Sequence, residues 1–138
     1  FADALGFGTT AITLPSADGS ADQVLTTDGS GTLSFVDNTG GTSWVAIKTG
    51  AYTASAGEGV FVNTTSSAFA ITLPASPSLG DEVSIVDYAG TFDSNACTIA
   101  RNSQPIMGVA EDLVVSTERA SFTLVYVDGT QGWLFKGD

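Results

Sequence analysis

Residues 120–136 read ASFTLVYVDGTQGWLFK, and this stretch predicts a β-hairpin near the end of the chain. Phe122, Leu124 and Tyr126 alternate with Thr and Val, which is the side-chain period of a β-strand. The turn at 128–132 contains glycine and leads into a second apolar run. The first strand is apolar on both faces, so we expect it to lie in the centre of a sandwich or between subunits.

Short apolar runs of the same kind recur from Trp44 onward. β-Branched and aromatic residues cluster between turns of Gly, Ser, Thr, Asp and Asn, and no stretch combines helical spacing with helix caps. The predicted strands are 44–48, 59–63, 69–73, 82–88, 96–100, 105–107, 113–116, 120–127 and 132–136. Their spacing predicts an all-β tip domain over residues 43–138, with a β-sandwich or jelly-roll-like fold.

Residues 1–42 contain too few apolar side chains to build a core of their own. The predicted strands are 11–14, 23–26 and 32–36, divided by the turn dipeptides Asp18-Gly19 and Asp28-Gly29. Three such short strands must pair with another chain or lie on another domain. Intrinsic disorder is the alternative, but apolar residues return at regular intervals, which favours strands. We therefore predict an extended β stalk over 1–42.

The tetrapeptide Ile-Thr-Leu-Pro occurs twice, at 12–15 and at 71–74. In both copies a proline, which has no N–H to donate to a β-ladder, ends a predicted strand. Both copies lead into a polar turn with a glycine. Two copies are too few to claim a solenoid, and chance repetition in a Thr- and Leu-rich chain is the alternative.

The chain is strongly acidic, with 15 Asp and Glu against 4 Lys and Arg and a formal net charge of −11. Nucleic-acid binding needs a basic face that releases counterions from phosphate, so we expect neither DNA nor an anionic membrane as a partner. Solubility is the simplest role for the acidic residues, and divalent-cation binding is the alternative. No signal peptide or membrane-length apolar run is evident, and the first residue, Phe1, suggests that further sequence precedes it.

Residues suited to catalysis are scarce. The chain has no His and one cysteine, Cys97, so it lacks the parts for a disulfide framework, a zinc cluster or a Ser/His/Asp triad. Cys97 lies in an alternating run and is predicted to be a small core residue. The remaining route is a carboxylate pair, as in glycoside hydrolases. The available pairs are Asp81/Glu82, Glu111/Asp112 and Asp87/Asp93. Neighbours in a strand point to opposite faces, which counts against Asp81 and Glu82 acting together. We therefore predict no enzyme activity, and the sequence suggests no cofactor.

Two further patterns concern ligands. Asp93-Ser94-Asn95 begins like a calcium loop but lacks the later ligands and the central glycine, so no metal site is predicted. Tyr88 and Phe92 flank a predicted loop, where an exposed aromatic ring can stack on a sugar, and they are the candidate receptor-binding residues. Trp44 and Trp133 lie among strand residues, which favours positions in the core or at an interface over the alternative of ligand platforms.

Both parts of the chain resemble phage appendage proteins. Residues 12–15 (ITLP) and 21–35 (ADQVLTTDGSGTLSF) resemble the stalk repeat of marine and cyanobacterial phage fibre proteins. The rest resembles a C-terminal domain of phage tail-fibre and tailspike-like proteins. The pieces that carry this second resemblance are 71–74, 80–83, 85–87, 97–102, 124–126 and 132–134.

The resemblance implies a virion structural protein located on a surface appendage, either a tail or a capsid fibre. Such fibres are usually homotrimers that attach to host-surface glycan or another receptor through several weak sites at once. Their N-terminal side faces other virion proteins. A capsid-decorating fibre, or a collar or tail component that serves assembly without receptor binding, is the alternative. A carboxylate-dependent glycan depolymerase is a weaker one.

Overall fold

A computed structural model describes residues 4–7, 10–38 and 40–137. The regular elements within these ranges are β-strands, so the predicted all-β class is confirmed. The chain divides into two compact units, one ending at Gly40 and one beginning at Gly41. The boundary predicted from the sequence lay close by, between residues 42 and 43.

The N-terminal unit contains two antiparallel hairpins. The first joins β1 (Ala4–Phe7) to β2 (Thr10–Thr13), and the second joins β3 (Gln23–Thr27) to β4 (Leu33–Asp37). The three strands predicted here correspond to β2, β3 and β4, with ends that differ by no more than one residue. β1 was not predicted.

Asp28 organises the turn between β3 and β4. Its Oδ1 accepts the backbone N–H groups of Ser30 and Thr32 at 2.7 and 3.0 Å. These hydrogen bonds hold the pKa of Asp28 below its ordinary value, because they stabilise the charged carboxylate. Gly29 has a φ of 78°, in the left-handed region that favours glycine. The predicted Asp-Gly turn is therefore confirmed.

The N-terminal unit has no fully buried side chain among residues 11–38. Val24 and Val36 lie opposite each other across the hairpin, and each is 41% exposed. Leu25 is 50% exposed and Leu14 is 52% exposed. The larger apolar side chains of this unit are therefore left in contact with water.

The strands of the C-terminal unit form two sheets. In chain order they are β5 (Ser43–Lys48), β6 (Tyr52–Thr53), β7 (Glu58–Val62), β8 (Phe69–Thr72), β9 (Glu82–Asp87), β10 (Cys97–Ala100), β11 (Leu113–Val115), β12 (Ser121–Asp128) and β13 (Gly132–Lys136). One sheet has four strands in the order β11-β10-β8-β6, and the other has five in the order β13-β12-β9-β7-β5. Buried side chains from both sheets form one core, which confirms a sandwich-like arrangement.

The chain alternates between the two sheets from β5 to β10. β5, β7 and β9 run parallel in the five-stranded sheet, and β6, β8 and β10 run parallel in the four-stranded sheet. Parallel neighbours require a crossover connection, and here each crossover is a strand of the opposite sheet. The chain therefore winds as a short parallel coil. This connectivity differs from the antiparallel pairing of a jelly roll.

The last three strands reverse direction. β11 pairs antiparallel with β10, β12 pairs antiparallel with β9, and β12 and β13 form the predicted terminal hairpin. On β12, Leu124 and Tyr126 are buried in the core, whereas Val125 on the opposite face is half-buried. This strand therefore lies inside a sheet, as expected from its two apolar faces.

Apolar side chains stack in rows from one coil to the next. Val60 on β7 lies beside Ile85 on β9, and Ile71 on β8 lies beside Ile99 on β10. All four side chains are fully buried. Each coil thus covers the apolar row of its neighbour, which is how short strands accumulate a core.

The repeated tetrapeptide has two different environments. In the second copy Ile71 and Leu73 are fully buried, whereas Leu14 of the first copy is half exposed. The N–H of Leu73 donates to the carbonyl of Ala100 at 2.9 Å, which extends the pairing of β8 with β10 up to the proline. The shared sequence therefore encodes a strand end but does not determine what covers it.

The segment predicted as a strand at 105–107 is irregular, and this prediction was wrong. Ile106 makes only isolated bridges, to Val109 and to Trp133. Pro105 has no N–H for a ladder, and Met107 has a φ of 52°, which breaks the extended conformation. β6, by contrast, was not predicted, because two residues are too few to display a period.

Cys97 and Trp133 are core residues. Both are fully buried, and burial raises the pKa of the Cys97 thiol to about 12. A thiol with this pKa is protonated at neutral pH and is not a nucleophile. The predicted core positions of Cys97 and Trp133 are thereby confirmed.

A buried carboxylate, Asp87, lies at the end of β9. Its two oxygens accept four backbone N–H groups at 2.9 to 3.2 Å, and the donors are Gly90, Thr91, Phe92 and Arg119. Burial alone raises the pKa of Asp87, but the four donors outweigh it and lower the pKa below its ordinary value. Asp87 thereby holds the loop that leads to β10 against the segment that leads into β12.

We predict that Asp87→Asn destabilises the fold by about 2 kcal/mol or more, because an amide leaves buried N–H groups without acceptors. Chemical denaturation of the whole chain measures this loss. Asp93→Asn is the control, since Asp93 is exposed, and it should change stability by about 0.5 kcal/mol or less. Equal stability of the two variants would contradict the role of Asp87.

The same carboxylate predicts a pH dependence. Its folded pKa lies below the unfolded value, so its stabilising effect is complete above about pH 4 and is lost as the pH falls through the folded pKa. The stability difference between the wild type and Asp87→Asn should therefore shrink between neutral pH and about pH 2. Denaturation curves recorded at several pH values test this, and a constant difference would refute it.

Candidate functional site

The outer face of the five-stranded sheet, the side away from the core, carries the candidate site. On β9, Val83 and Ile85 point into the core and are fully buried. The residues between and beside them, Glu82, Ser84 and Val86, therefore point outward, because successive side chains of a strand alternate in direction. This face is polar at the start of the parallel strands and apolar at their ends.

Two adjoining cavities form what we call the polar groove. The first, of about 460 Å³, lies at the start of β7 and β9, and its charged lining residues are Glu58, Asp81, Glu82 and Lys136. The second, of about 480 Å³, is lined by Trp44, Ser84, Thr123 and Lys136, among others. The two share Thr42, Ser84 and Lys136. Each has the volume of an ordinary small-ligand site.

An ion pair crosses the polar groove. The Lys136 amine donates to both carboxylate oxygens of Glu82, at 2.9 and 3.1 Å, and so links β13 to β9 across β12. Both side chains are partly exposed, so the pair contributes only about 0–1 kcal/mol to stability. Its main effect is to fix the positions of one cation and one anion at the groove surface.

The other groove carboxylates are held by local hydrogen bonds. Glu58 Oε2 accepts the hydroxyl of Tyr52 and the backbone N–H of Ser55, both at 2.9 Å, and the first bond raises the pKa of Tyr52. Asp81 Oδ2 accepts the N–H of Ser78 at 2.8 Å, which closes the turn predicted at 78–81. The acidic rim is therefore fixed in place by its own turns.

A pair of hydroxyls lies at the centre of the polar groove. Ser84 Oγ and Thr123 Oγ1 are 2.8 Å apart, on neighbouring strands β9 and β12. The two residues face each other in the sheet register. One hydrogen bond between two hydroxyls leaves one proton and several lone pairs for a further partner.

The indole of Trp44 forms the wall of the groove. It stacks on Phe61 with a centroid distance of 4.6 Å and an angle of 23°, and it lies above Gly59, its partner in the register of β5 and β7. A Cβ at Gly59 would collide with the indole and with Thr42. The glycine therefore leaves room for the indole beside Phe61, and Trp44 remains 49% exposed.

Beyond Phe61 the same face becomes apolar. We call this region the apolar concavity, and its lining residues are Val45, Ala46, Ile47, Phe61 and Tyr88. It has a volume of about 440 Å³ and contains no charged residue. A bulge in β5 after Val45 turns Ile47 outward, where it is 44% exposed.

The structure separates the two predicted receptor-binding residues. Tyr88 follows β9 and is 49% exposed in the apolar concavity, so its ring is accessible. Phe92 is fully buried in the core and presents no face to a ligand, which corrects that part of the prediction. The physical reason is Asp87, whose bond to the Phe92 N–H folds the loop inward.

Sequence reasoning missed the exposure of Trp44. Both tryptophans were predicted to lie in the core or at an interface; Trp133 is in the core, whereas Trp44 is exposed, and an interface position for Trp44 stays a prediction. The alternation of Trp44 with Val45 was the available signal, since Val45 packs against the core and its neighbour must then point outward. The role of Gly59 becomes visible only when β5 and β7 are in register.

The predicted carboxylate pairs have different surroundings. Asp81 and Glu82 both line the polar groove, because Asp81 belongs to a turn and not to the strand. Asp112 Oδ1 accepts the N–H of Arg101 at 2.9 Å. Asp87 is saturated by backbone donors and is separated from solvent, so it is not available as an acid or base partner for Asp93.

Metal ligands do not cluster in the part of the chain that the structure describes, where no three His, Cys, Asp or Glu side chains lie close enough to share an ion. The segment 93–95 that begins like a calcium loop forms local bonds, in which Ser94 donates to Asp93 and Asn95 donates to the carbonyl of Thr65. The segment 93–95 therefore forms a surface turn with local hydrogen bonds.

No protein-family model matches the sequence, and comparison with curated proteins yields no significant match. Within the described ranges there is no helix of the length and hydrophobicity that crossing a membrane requires. Function must therefore be inferred from the chemistry of the polar groove and from the exposed apolar residues of the N-terminal unit.

We predict that Gly59→Ala displaces Trp44 from the sheet, because the added methyl group occupies the space of the indole. Tryptophan emission should shift to longer wavelength, and stability should fall by about 1 kcal/mol or more. Gly129→Ala is the matched control, since its Cβ meets no atom within 4 Å. Identical emission from both variants would contradict the position assigned to Trp44.

Proposed function

We propose that this protein is a segment of a virion fibre that assembles as a homotrimer and attaches to glycan on the host surface. In this proposal residues 1–40 form a shared stalk, and the C-terminal unit is a tip that binds without chemical turnover. The observation that carries the proposal is the exposure of Val24, Val36, Leu25 and Leu14 in the N-terminal unit.

These exposed side chains support association between chains. Val24 and Val36 lie on one face of the second hairpin, and Leu25 lies on the other. A two-stranded hairpin is at best marginally stable in water, and it gains stability when a third element covers its apolar face. Burial of each such side chain contributes about 1.5–3 kcal/mol. Identical chains carry identical apolar faces, and a closed symmetric oligomer buries the face of every chain against a neighbour.

The resemblance to phage fibre stalks, which are usually homotrimers, supports three chains in this proposal. A trimer also suits the C-terminal unit, because the apolar concavity around Ile47, Phe61 and Tyr88 offers an uncharged surface to a neighbouring subunit. The polar groove is separated from that concavity by the stacked rings of Trp44 and Phe61. Subunit contact and ligand contact can therefore use different parts of one face.

Three copies of a weak site on one fibre favour attachment to a repetitive surface. When one site is bound, the others search a small volume, so the combined affinity exceeds that of a single site by about 10²–10⁴-fold. Bacterial surface glycans offer repeated units at close spacing. A net charge of −11 disfavours nucleic acid and anionic lipid as alternative targets. In this proposal the N-terminal side of the fibre joins other virion proteins.

The oligomeric state of the whole chain tests the proposal. Sedimentation equilibrium should give about three times the 14.0 kDa of one chain. Val24→Asp should yield monomers, because it places a charge in the apolar contact opposite Val36. Leu79→Asp is the matched control, since Leu79 is 78% exposed outside the stalk, and it should remain trimeric. A monomeric wild type with an ordered N-terminal unit would refute the proposal.

A further inference from the structure

We infer that the polar groove is a binding site for a neutral glycan, with the indole of Trp44 as the surface on which a pyranose ring stacks. This inference rests on the proposed attachment function and specifies its site and its class of ligand. It moves the ligand contact from Tyr88 and Phe92, which the sequence suggested, to the opposite side of Phe61.

Trp44 has the features of a fixed platform. The indole stacks on Phe61 and lies against the backbone at Gly59, and Trp44 is still 49% exposed. A ring already held in place loses little conformational entropy when a ligand binds. The C–H groups on one face of a pyranose are apolar and pack against an aromatic face, while the sugar hydroxyls point outward from the ring edge.

Hydrogen-bonding groups lie where those hydroxyls would be. The Ser84 and Thr123 hydroxyls and the Lys136 amine line the same cavity as Trp44. Glu82 binds Lys136 with two hydrogen bonds and so leaves the amine one further proton to donate. A sugar hydroxyl both donates and accepts, and the groove offers both kinds of partner. This combination of an aromatic surface with a few fixed polar groups is typical of ligand sites.

The charge of the groove selects against acidic sugars. Glu58, Asp81 and Glu82 line the first cavity, where Lys136 is the only basic residue. That lysine is already paired with Glu82, so an incoming carboxylate or phosphate would meet uncompensated negative charge. The net charge of the whole chain adds a repulsion of the same sign. A neutral glycan meets neither the repulsion from the groove carboxylates nor the repulsion from the net charge of the chain.

The test uses the full-length chain and a biosensor panel of immobilised oligosaccharides. The neutral members are built from glucose, galactose, mannose, rhamnose or N-acetylglucosamine. The acidic members carry sialic acid, glucuronic acid or phosphate. Wild-type protein should bind at least one neutral member and no acidic member. The inference is overturned if the protein binds none of the neutral members, or if it prefers the acidic members.

Variants locate the site. Trp44→Ala should weaken binding about tenfold per site, and Trp44→Phe should retain most of it, because a ring remains. Val114→Ala is the control, since Val114 is 61% exposed on β11 of the four-stranded sheet, away from both the groove and the apolar concavity, and it should bind like the wild type. Thr123→Val removes the hydroxyl beside Ser84 with little change in volume and should weaken binding without unfolding the chain. Binding by Trp44→Ala equal to that of Val114→Ala would overturn the assignment.

Sedimentation of each variant separates this inference from the proposed function. A trimer that binds no neutral glycan refutes the groove as a glycan site and leaves the fibre proposal intact. A monomer whose glycan binding depends on Trp44 refutes the trimeric fibre and leaves the groove assignment intact. Near-ultraviolet circular dichroism, which reports the buried Trp133, shows whether a variant has kept its fold.

Discussion

The in-register contact between parallel coils is the constraint on which the C-terminal unit depends. Val60 must lie beside Ile85 in one sheet, and Ile71 must lie beside Ile99 in the other, for the apolar rows to close into one core. A shift of one residue would turn each inward side chain to the outer face, so the core fixes the register. The register in turn fixes the outer face. Trp44 lies over Gly59 because β5 and β7 pair in the register that the core requires.

Asp87 stabilises the loop that connects β9 to β10. Apolar side chains cannot accept hydrogen bonds from the backbone N–H groups of the tight loop after β9. The buried carboxylate of Asp87 accepts three of these bonds and a fourth from the N–H of Arg119. Because one of the donors is Arg119, the same carboxylate anchors the approach to β12, the strand that supplies Thr123 to the polar groove. A rigid scaffold beneath a shallow site matters for binding, since a fixed platform lowers the ordering cost that a weak ligand must overcome.

The sequence predicted most strands and their inward faces, because alternation is a local property that each segment carries by itself. Leu124 and Tyr126 were expected on one face of a long strand, and they are buried there. Pairing is different, since Ile71 has the same local sequence whether its neighbour runs parallel or antiparallel. The parallel winding therefore could not be predicted. The exposure of Trp44 and the burial of Phe92 also depend on residues far away in sequence or on loop hydrogen bonds, and no single segment encodes them.

The same short sequence is buried in one unit and exposed in the other, because the two units differ in how much apolar surface lies nearby to cover it. Ile-Thr-Leu-Pro at 71–74 finds a neighbouring coil, whereas Leu14 in the copy at 12–15 remains half exposed. The first 42 residues carry five Asp and no Lys or Arg, so in the proposed trimer the contacts between identical stalks cannot be side-chain ion pairs. Like charges would oppose association, and apolar burial must exceed that repulsion. In the proposed fibre, the acidity that opposes association between identical chains would also repel anionic ligands from the groove. Under the proposed function, charge opposes association with like-charged partners in both units, and the apolar surfaces, Val24 with Val36 and the indole of Trp44, provide the attraction.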